Sequence, residues 1–175
     1  MKKITFLITV LISVLNMNAQ NDLWPNEAIN TGANSTYVLV TDTDVTFDGQ
    51  DFIYGKLGAF YTDDNGDLQN GGWIIWNNAQ INFSVQGDDS TTPEKDGFAA
   101  GEEITWLATN DDGITSYIAS TEYLQGNDNY ITNYINIFSE FTISNTVYCV
   151  NDADGDGICD ENETSGCTDP SAVNY

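Results

Sequence analysis

Leu57-Gly-Ala-Phe-Tyr-Thr-Asp-Asp-Asn-Gly-Asp-Leu-Gln-Asn-Gly-Gly-Trp-Ile-Ile-Trp76 is the stretch that decides the fold. Two short apolar and aromatic runs flank Asp63-Asp-Asn-Gly-Asp67. Aromatic and β-branched residues suit a pleated, half-buried surface. An Asn-Gly step between them supplies the left-handed backbone of a tight hairpin turn. The pattern repeats outward in both directions. Tyr37-Val-Leu-Val40, Phe52-Ile-Tyr54 and Ile81-Asn-Phe-Ser-Val85 read as strands, the last in strict alternation. Ile104-Thr-Trp-Leu-Ala108, Ile114-Thr-Ser-Tyr-Ile118 and Phe138-Ser-Glu-Phe-Thr-Ile143 continue the series, with Asn110-Asp-Asp-Gly113 as a second hairpin turn. Short strands at this spacing, with no helical period, predict an all-β antiparallel β-sandwich, jelly-roll or Ig-like, over residues 20–145.

Composition supports a packed domain and narrows its chemistry. Hydrophobic residues make up 41% and aromatics 12%, too much apolar surface for a solvated coil. The formal net charge is −23, with 27 acids, 4 Lys+Arg and no His. Lys2 and Lys3 open the chain, so Lys56 and Lys95 are the cations of the remainder. Such a surface repels nucleic acid and anionic lipid. Without His there is no Ser-His or Cys-His catalysis and no usual zinc site.

The first residues predict export. Met1-Lys2-Lys3 is a short positive region, residues 4–15 are apolar apart from Thr and Ser, and Ala19 offers a small residue for cleavage. Residues 1–19 therefore read as a signal peptide, too short to span a membrane, and no membrane insertion is expected after its removal. The expected location is extracellular or on the cell surface, where disulfides persist and calcium is plentiful.

The other end carries the sharpest motif. In Asp152-Ala-Asp-Gly-Asp-Gly-Ile-Cys-Asp-Glu-Asn-Glu163, carboxylates fall at loop positions one, three, five, nine and twelve: Asp152, Asp154, Asp156, Asp160 and Glu163. Gly157 sits at the sharp turn of position six, and the Ile158 carbonyl supplies position seven. A tightly coiled loop converges such oxygens on one point, which suits Ca²⁺, a hard cation taking six to eight oxygens. The plainer alternative is a solvated acidic linker. The flanks, Val147-Tyr-Cys-Val-Asn151 and Thr164-Ser-Gly-Cys-Thr-Asp-Pro170, are not helical, so the EF-hand frame is absent.

Residues 149–163, with Cys149 before the loop and Cys159 inside it, resemble the thrombospondin type 3 repeat, a helix-poor, disulfide-braced calcium module. Gly166-Cys-Thr-Asp-Pro-Ser-Ala-Val-Asn-Tyr175 resembles the start of a repeat common in secreted proteins of marine Bacteroidetes. In that family a further Cys follows downstream. The resemblance implies a calcium repeat over 146–165 and an incomplete disulfide repeat over 166–175, with Cys167 pairing beyond Tyr175. It also implies a Cys149–Cys159 pair. The alternative, Cys159 with Cys167 and Cys149 free, stays open, because sequence does not settle connectivity. Residues 58–101 look loosely like a β module of large secreted flavobacterial proteins.

The β domain offers three further candidates. In the long loop of residues 86–103, Asp88, Asp89, Glu94 and Asp96 offer a second calcium site, against the plainer reading of a solvated loop. The neighbouring pairs Asp88/Asp89 and Glu102/Glu103 are the nearest approach to a glycosidase, but adjacent strand residues face opposite ways. No enzyme is expected. Trp73, Trp76 and Trp106 with the tyrosines offer a stacking platform for sugars, although the odd spacing of Trp73 and Trp76 puts at least one in the core. The expectation is a secreted, non-enzymatic adhesion or scaffold module with structural calcium, its β domain taking a glycan or a surface protein. The alternative is a carbohydrate-binding module of a larger secreted polysaccharide-acting protein.

Overall fold

The computed structural model describes residues 23–25, 30–110, 115–149 and Cys159. Among them no residue is helical. Eight strands follow in order: β1 (Asn34–Phe47), β2 (Gln50–Asp51), β3 (Gly55–Thr62), β4 (Leu68–Trp76), β5 (Ile81–Gln86), β6 (Thr105–Thr109), β7 (Tyr117–Gln125) and β8 (Ile135–Val147). The all-β, sandwich-like architecture expected from the apolar runs is present, in one mixed sheet ordered β2-β1-β8-β7-β6-β3-β4, with β5 on β1. Every pairing among the described strands is antiparallel except β1 with β8, which run parallel.

β1 is long enough to serve three neighbours. Its first half pairs with β5, from Asn34↔Gln86 to Leu39↔Ile81, and its end pairs with β2 at Thr46↔Asp51 and Phe47↔Gln50. A register shift between Leu39 and Asp44 divides the two halves. Thr43 fills the break: its hydroxyl accepts the Val40 N–H (2.8 Å) and donates to the Phe138 carbonyl (3.1 Å). The sheet then curls until β4 lies beside β5. A Cβ on Gly72 would stand 2.3 Å from the Ser84 carbonyl oxygen, so only glycine permits that approach.

The curl encloses one face. Tyr37, Leu39, Leu57, Tyr61, Val85, Trp106, Phe138, Phe141 and Ile143 are buried there. Trp106 stands edge-on to Tyr37 at 5.2 Å and to Phe138 at 5.2 Å, an arrangement that aligns ring edge with ring face. A smaller cluster covers the outer face of β3 and β6, where Trp24, Phe60 and Leu107 are buried with Trp73 and Tyr148 beside them.

The turn expected at Asp63-Asp-Asn-Gly-Asp67 joins β3 to β4. Asp63 Oδ1 accepts the N–H groups of Asn65 (2.8 Å) and Asp67 (2.9 Å), and Gly66 takes φ 90°. Two strand expectations need correction. Phe52-Ile-Tyr54 is not a strand; pairing ends at Asp51, and Ile53 and Tyr54 are exposed. The two-residue Asp48-Gly49 turn, with φ 48° and 74°, closes its hairpin before this apolar run begins. The expected strand over 114–118 instead starts at Tyr117 and continues to Gln125. Its burial alternates half-buried with exposed, so its apolar contrast is weak. The Asp-Gly turn before it lies outside the described residues.

Candidate functional site

The calcium ligands expected from sequence, Asp152, Asp154, Asp156, Ile158, Asp160 and Glu163, lie outside the described residues. Their attachment to the domain lies within them. β8 ends at Val147, and Cys149 forms a disulfide with Cys159, Cα to Cα 5.0 Å. Cys159, at the eighth loop position, is buried. Of the two pairings left open by the sequence, this is the one present.

The strand end leading into that bridge is pinned to the domain. Tyr148 N–H donates to the Ser116 carbonyl (2.8 Å), and Ser116 Oγ accepts Trp24 Nε1–H (2.9 Å). Trp24 is 3% exposed and edge-on to Phe60 at 5.1 Å. It lies over Gly58, where a Cβ would come 2.9 Å from its ring. One serine thus joins the N-terminal segment to the entry of the disulfide-closed segment. The Tyr148 hydroxyl is pushed above its ordinary range by burial and then by the charge of Asp67.

The long acidic loop is organised by internal hydrogen bonds. Asp89 Oδ1 accepts both the N–H (2.6 Å) and the hydroxyl (2.5 Å) of Thr91. Asp88 Oδ1 accepts the Asp96 N–H at 3.2 Å, and Asp96 Oδ2 accepts the Thr92 hydroxyl at 3.2 Å. Glu94 is exposed, its backbone carbonyl accepting the same hydroxyl. Among the described residues no three acids stand close enough together to hold a metal. Lys95 neutralises part of this surface. Its Nζ lies 2.8 Å from Glu102 Oε1, donates to the Thr62 carbonyl and sits 5.4 Å from the Tyr61 ring centre. Burial, then the charges of Asp96, Asp63, Asp88 and Glu102, push the Tyr61 hydroxyl up to about 12. Glu102 also accepts the N–H groups of Ala99 (2.8 Å) and Thr62 (3.3 Å), while Glu103 is exposed.

The tryptophans do not share a face. Trp76 and Trp106 are each 3% exposed in the enclosed core, and Trp76 Nε1–H donates to the Phe52 carbonyl (2.6 Å). Trp73 points to the outer cluster, donates to the Pro25 carbonyl (3.0 Å) and carries Lys56 Nζ 4.8 Å from its ring centre. Three positions apart on one strand, Trp73 and Trp76 face opposite sides, as the period of two requires.

Sequence reasoning missed Asp128, which lies in Gly126-Asn-Asp-Asn129 outside every motif considered above. Its Oδ1 accepts Trp106 Nε1–H (3.0 Å), the Thr121 hydroxyl (2.5 Å) and the Tyr123 hydroxyl (2.9 Å). One carboxylate oxygen ties the loop before β8 to β6 and β7. Also missed was a cleft of about 390 Å³ beside the β1–β2 turn, floored by Phe47 and Phe52. Its one signal in the sequence was an apolar run, Phe52-Ile-Tyr54, placed directly after a turn. No family model, no curated protein and no solved structure matches the chain.

Proposed function

We propose that this is a secreted or cell-surface, non-enzymatic adhesion or scaffold protein whose β domain leads into a calcium-stiffened repeat. In this reading Asp152, Asp154, Asp156, the Ile158 carbonyl, Asp160 and Glu163 hold one Ca²⁺. The supporting observation is the Cys149–Cys159 bridge, which ties the end of β8 to the middle of that loop. With both sulfurs bridged, neither is a thiolate ligand. The donor set is then all oxygen, which suits a hard cation rather than zinc.

The role is mechanical. Without the ion, crowded carboxylates repel one another and the segment stays loose; with it, their charge is neutralised and the loop is ordered. The bridge shortens the span that must be ordered, and the Tyr148 N–H on the Ser116 carbonyl holds the strand end that enters it.

Calorimetric titration of the whole chain with Ca²⁺ tests this. A saturable heat with a dissociation constant of about 0.1–1 mM is expected, in the range of extracellular modules. It should vanish in Asp152→Asn/Asp156→Asn. No heat at millimolar calcium would refute the reading.

A further inference from the structure

The cleft beside the β1–β2 turn is a fixed structure. Its floor residue Phe52 is buried, its N–H donates to the Val45 carbonyl (2.8 Å), and its carbonyl accepts Trp76 Nε1–H (2.6 Å). Phe47 stands 6.4 Å from the Phe52 ring and edge-on to Tyr117 at 4.9 Å. Gly55 is required behind this floor, because a Cβ there would fall 2.3 Å from Phe52 Cζ and 2.5 Å from the Thr109 carbonyl. The rim is held equally. Asp48 adopts φ 48° in the tight turn, and its N–H donates to the Ile143 carbonyl (2.9 Å).

On this rigid base the rim offers polar groups with free capacity. Among the described residues, the carboxylates of Asp48 and Asp51, the amide of Asn110 and the hydroxyl of Tyr54 make no hydrogen bond to the protein. Tyr54 is 51% exposed and lines the cleft beside Ile53, which leaves its ring accessible to a ligand.

We propose that this cleft binds a neutral sugar ring, Tyr54 taking its apolar face while Asp48, Asp51 and Asn110 take its hydroxyls. A sugar presents flat C–H surface together with groups that both donate and accept. The site answers with an aromatic ring, two carboxylates that accept and an amide that does both. A cation needs acceptors alone, whereas the amide of Asn110 brings a donor as well as an acceptor to the rim. An anionic glycan meets two carboxylates and a chain of net charge −23. A cleft of about 390 Å³ has room for one ring, with the rest of the glycan continuing into solvent. None of the calcium ligands contributes, so either reading can fail alone.

The test is calorimetric titration of the whole chain with cellohexaose, laminarihexaose, mannohexaose and xylohexaose, with tetramethylammonium as the cationic probe. At least one sugar should bind with a dissociation constant of about 0.1–1 mM. Tyr54→Ala and Asp51→Ala, both exposed and expected to fold, should each weaken it about tenfold or more. Trp73→Ala should leave it unchanged. No binding of any of the four sugars up to about 10 mM overturns the proposal, as does a response to tetramethylammonium alone. Wild-type affinity in Tyr54→Ala overturns it too.

Discussion

Replacing Asp128 by alanine exposes how much of the domain hangs on one carboxylate. Three donors converge on its Oδ1: Trp106 Nε1–H, the Thr121 hydroxyl and the Tyr123 hydroxyl. The two hydroxyls also lie 3.1 Å apart, so Thr121 can donate to Tyr123 when the acid is gone. Both residues are half-buried, and water can reach what remains. Trp106 has no such refuge: it is 3% exposed, ringed by Tyr37, Phe83, Phe138 and Phe141. Leaving its N–H without an acceptor costs about 1–3 kcal/mol, and losing a charge-assisted bond adds about 1 kcal/mol. Asp128→Ala should therefore destabilise by about 3 kcal/mol, a large share of the 5–15 kcal/mol typical of a domain. Asp128→Asn keeps an acceptor oxygen and should cost about 1 kcal/mol. Urea unfolding followed by tryptophan fluorescence and circular dichroism measures both. The reasoning is refuted if the alanine variant lies within about 1 kcal/mol of the wild type, or if asparagine costs as much as alanine.

Two further outcomes are expected. Cys159→Ser opens a loop whose ends are 10 positions apart in sequence, a closure the chain-entropy relation values at about 2–3 kcal/mol. The weakened calcium binding this predicts, up to about a hundredfold, is read by the same titration, and equal affinity in the variant would detach the bridge from the site. The Tyr61 hydroxyl is pushed up to about 12, so its neutral form stabilises the fold fully below the unfolded value of 10. That contribution is lost as pH rises from 10 through about 12, at no more than about 1.4 kcal/mol per pH unit. Tyr61→Phe should flatten the alkaline limb of a stability–pH profile, and parallel profiles would dismiss the linkage.

The local pattern carried much of this architecture. Alternation in Ile81-Asn-Phe-Ser-Val85 marked β5, and Asp63-Asp-Asn-Gly-Asp67 marked the β3–β4 turn, because side-chain period and turn geometry act over a few residues. The calcium pattern is likewise local, its ligands falling within twelve residues. Where local signal is faint, pattern misleads. β7 alternates only between half-buried and exposed, and Phe52-Ile-Tyr54 looks like a strand although its backbone is held by Val45 and Trp76.

Sequence by itself determined the all-β class and the main hairpin, and it spells the acidic pattern of residues 152–163. Only the tertiary structure decided who meets whom. Parallel pairing of β1 with β8 needs a connection that is nearly the whole domain, and no short motif records it. Ser116 joins Trp24, 92 residues away, to the strand entering the bridged segment. Asp128 finds Trp106 across 22 positions, and the cleft beside the β1–β2 turn needs Asn110 beside the Asp48 turn. Such contacts arise when a curled sheet brings distant strands together. Their energy depends on burial, which an isolated residue pattern does not contain.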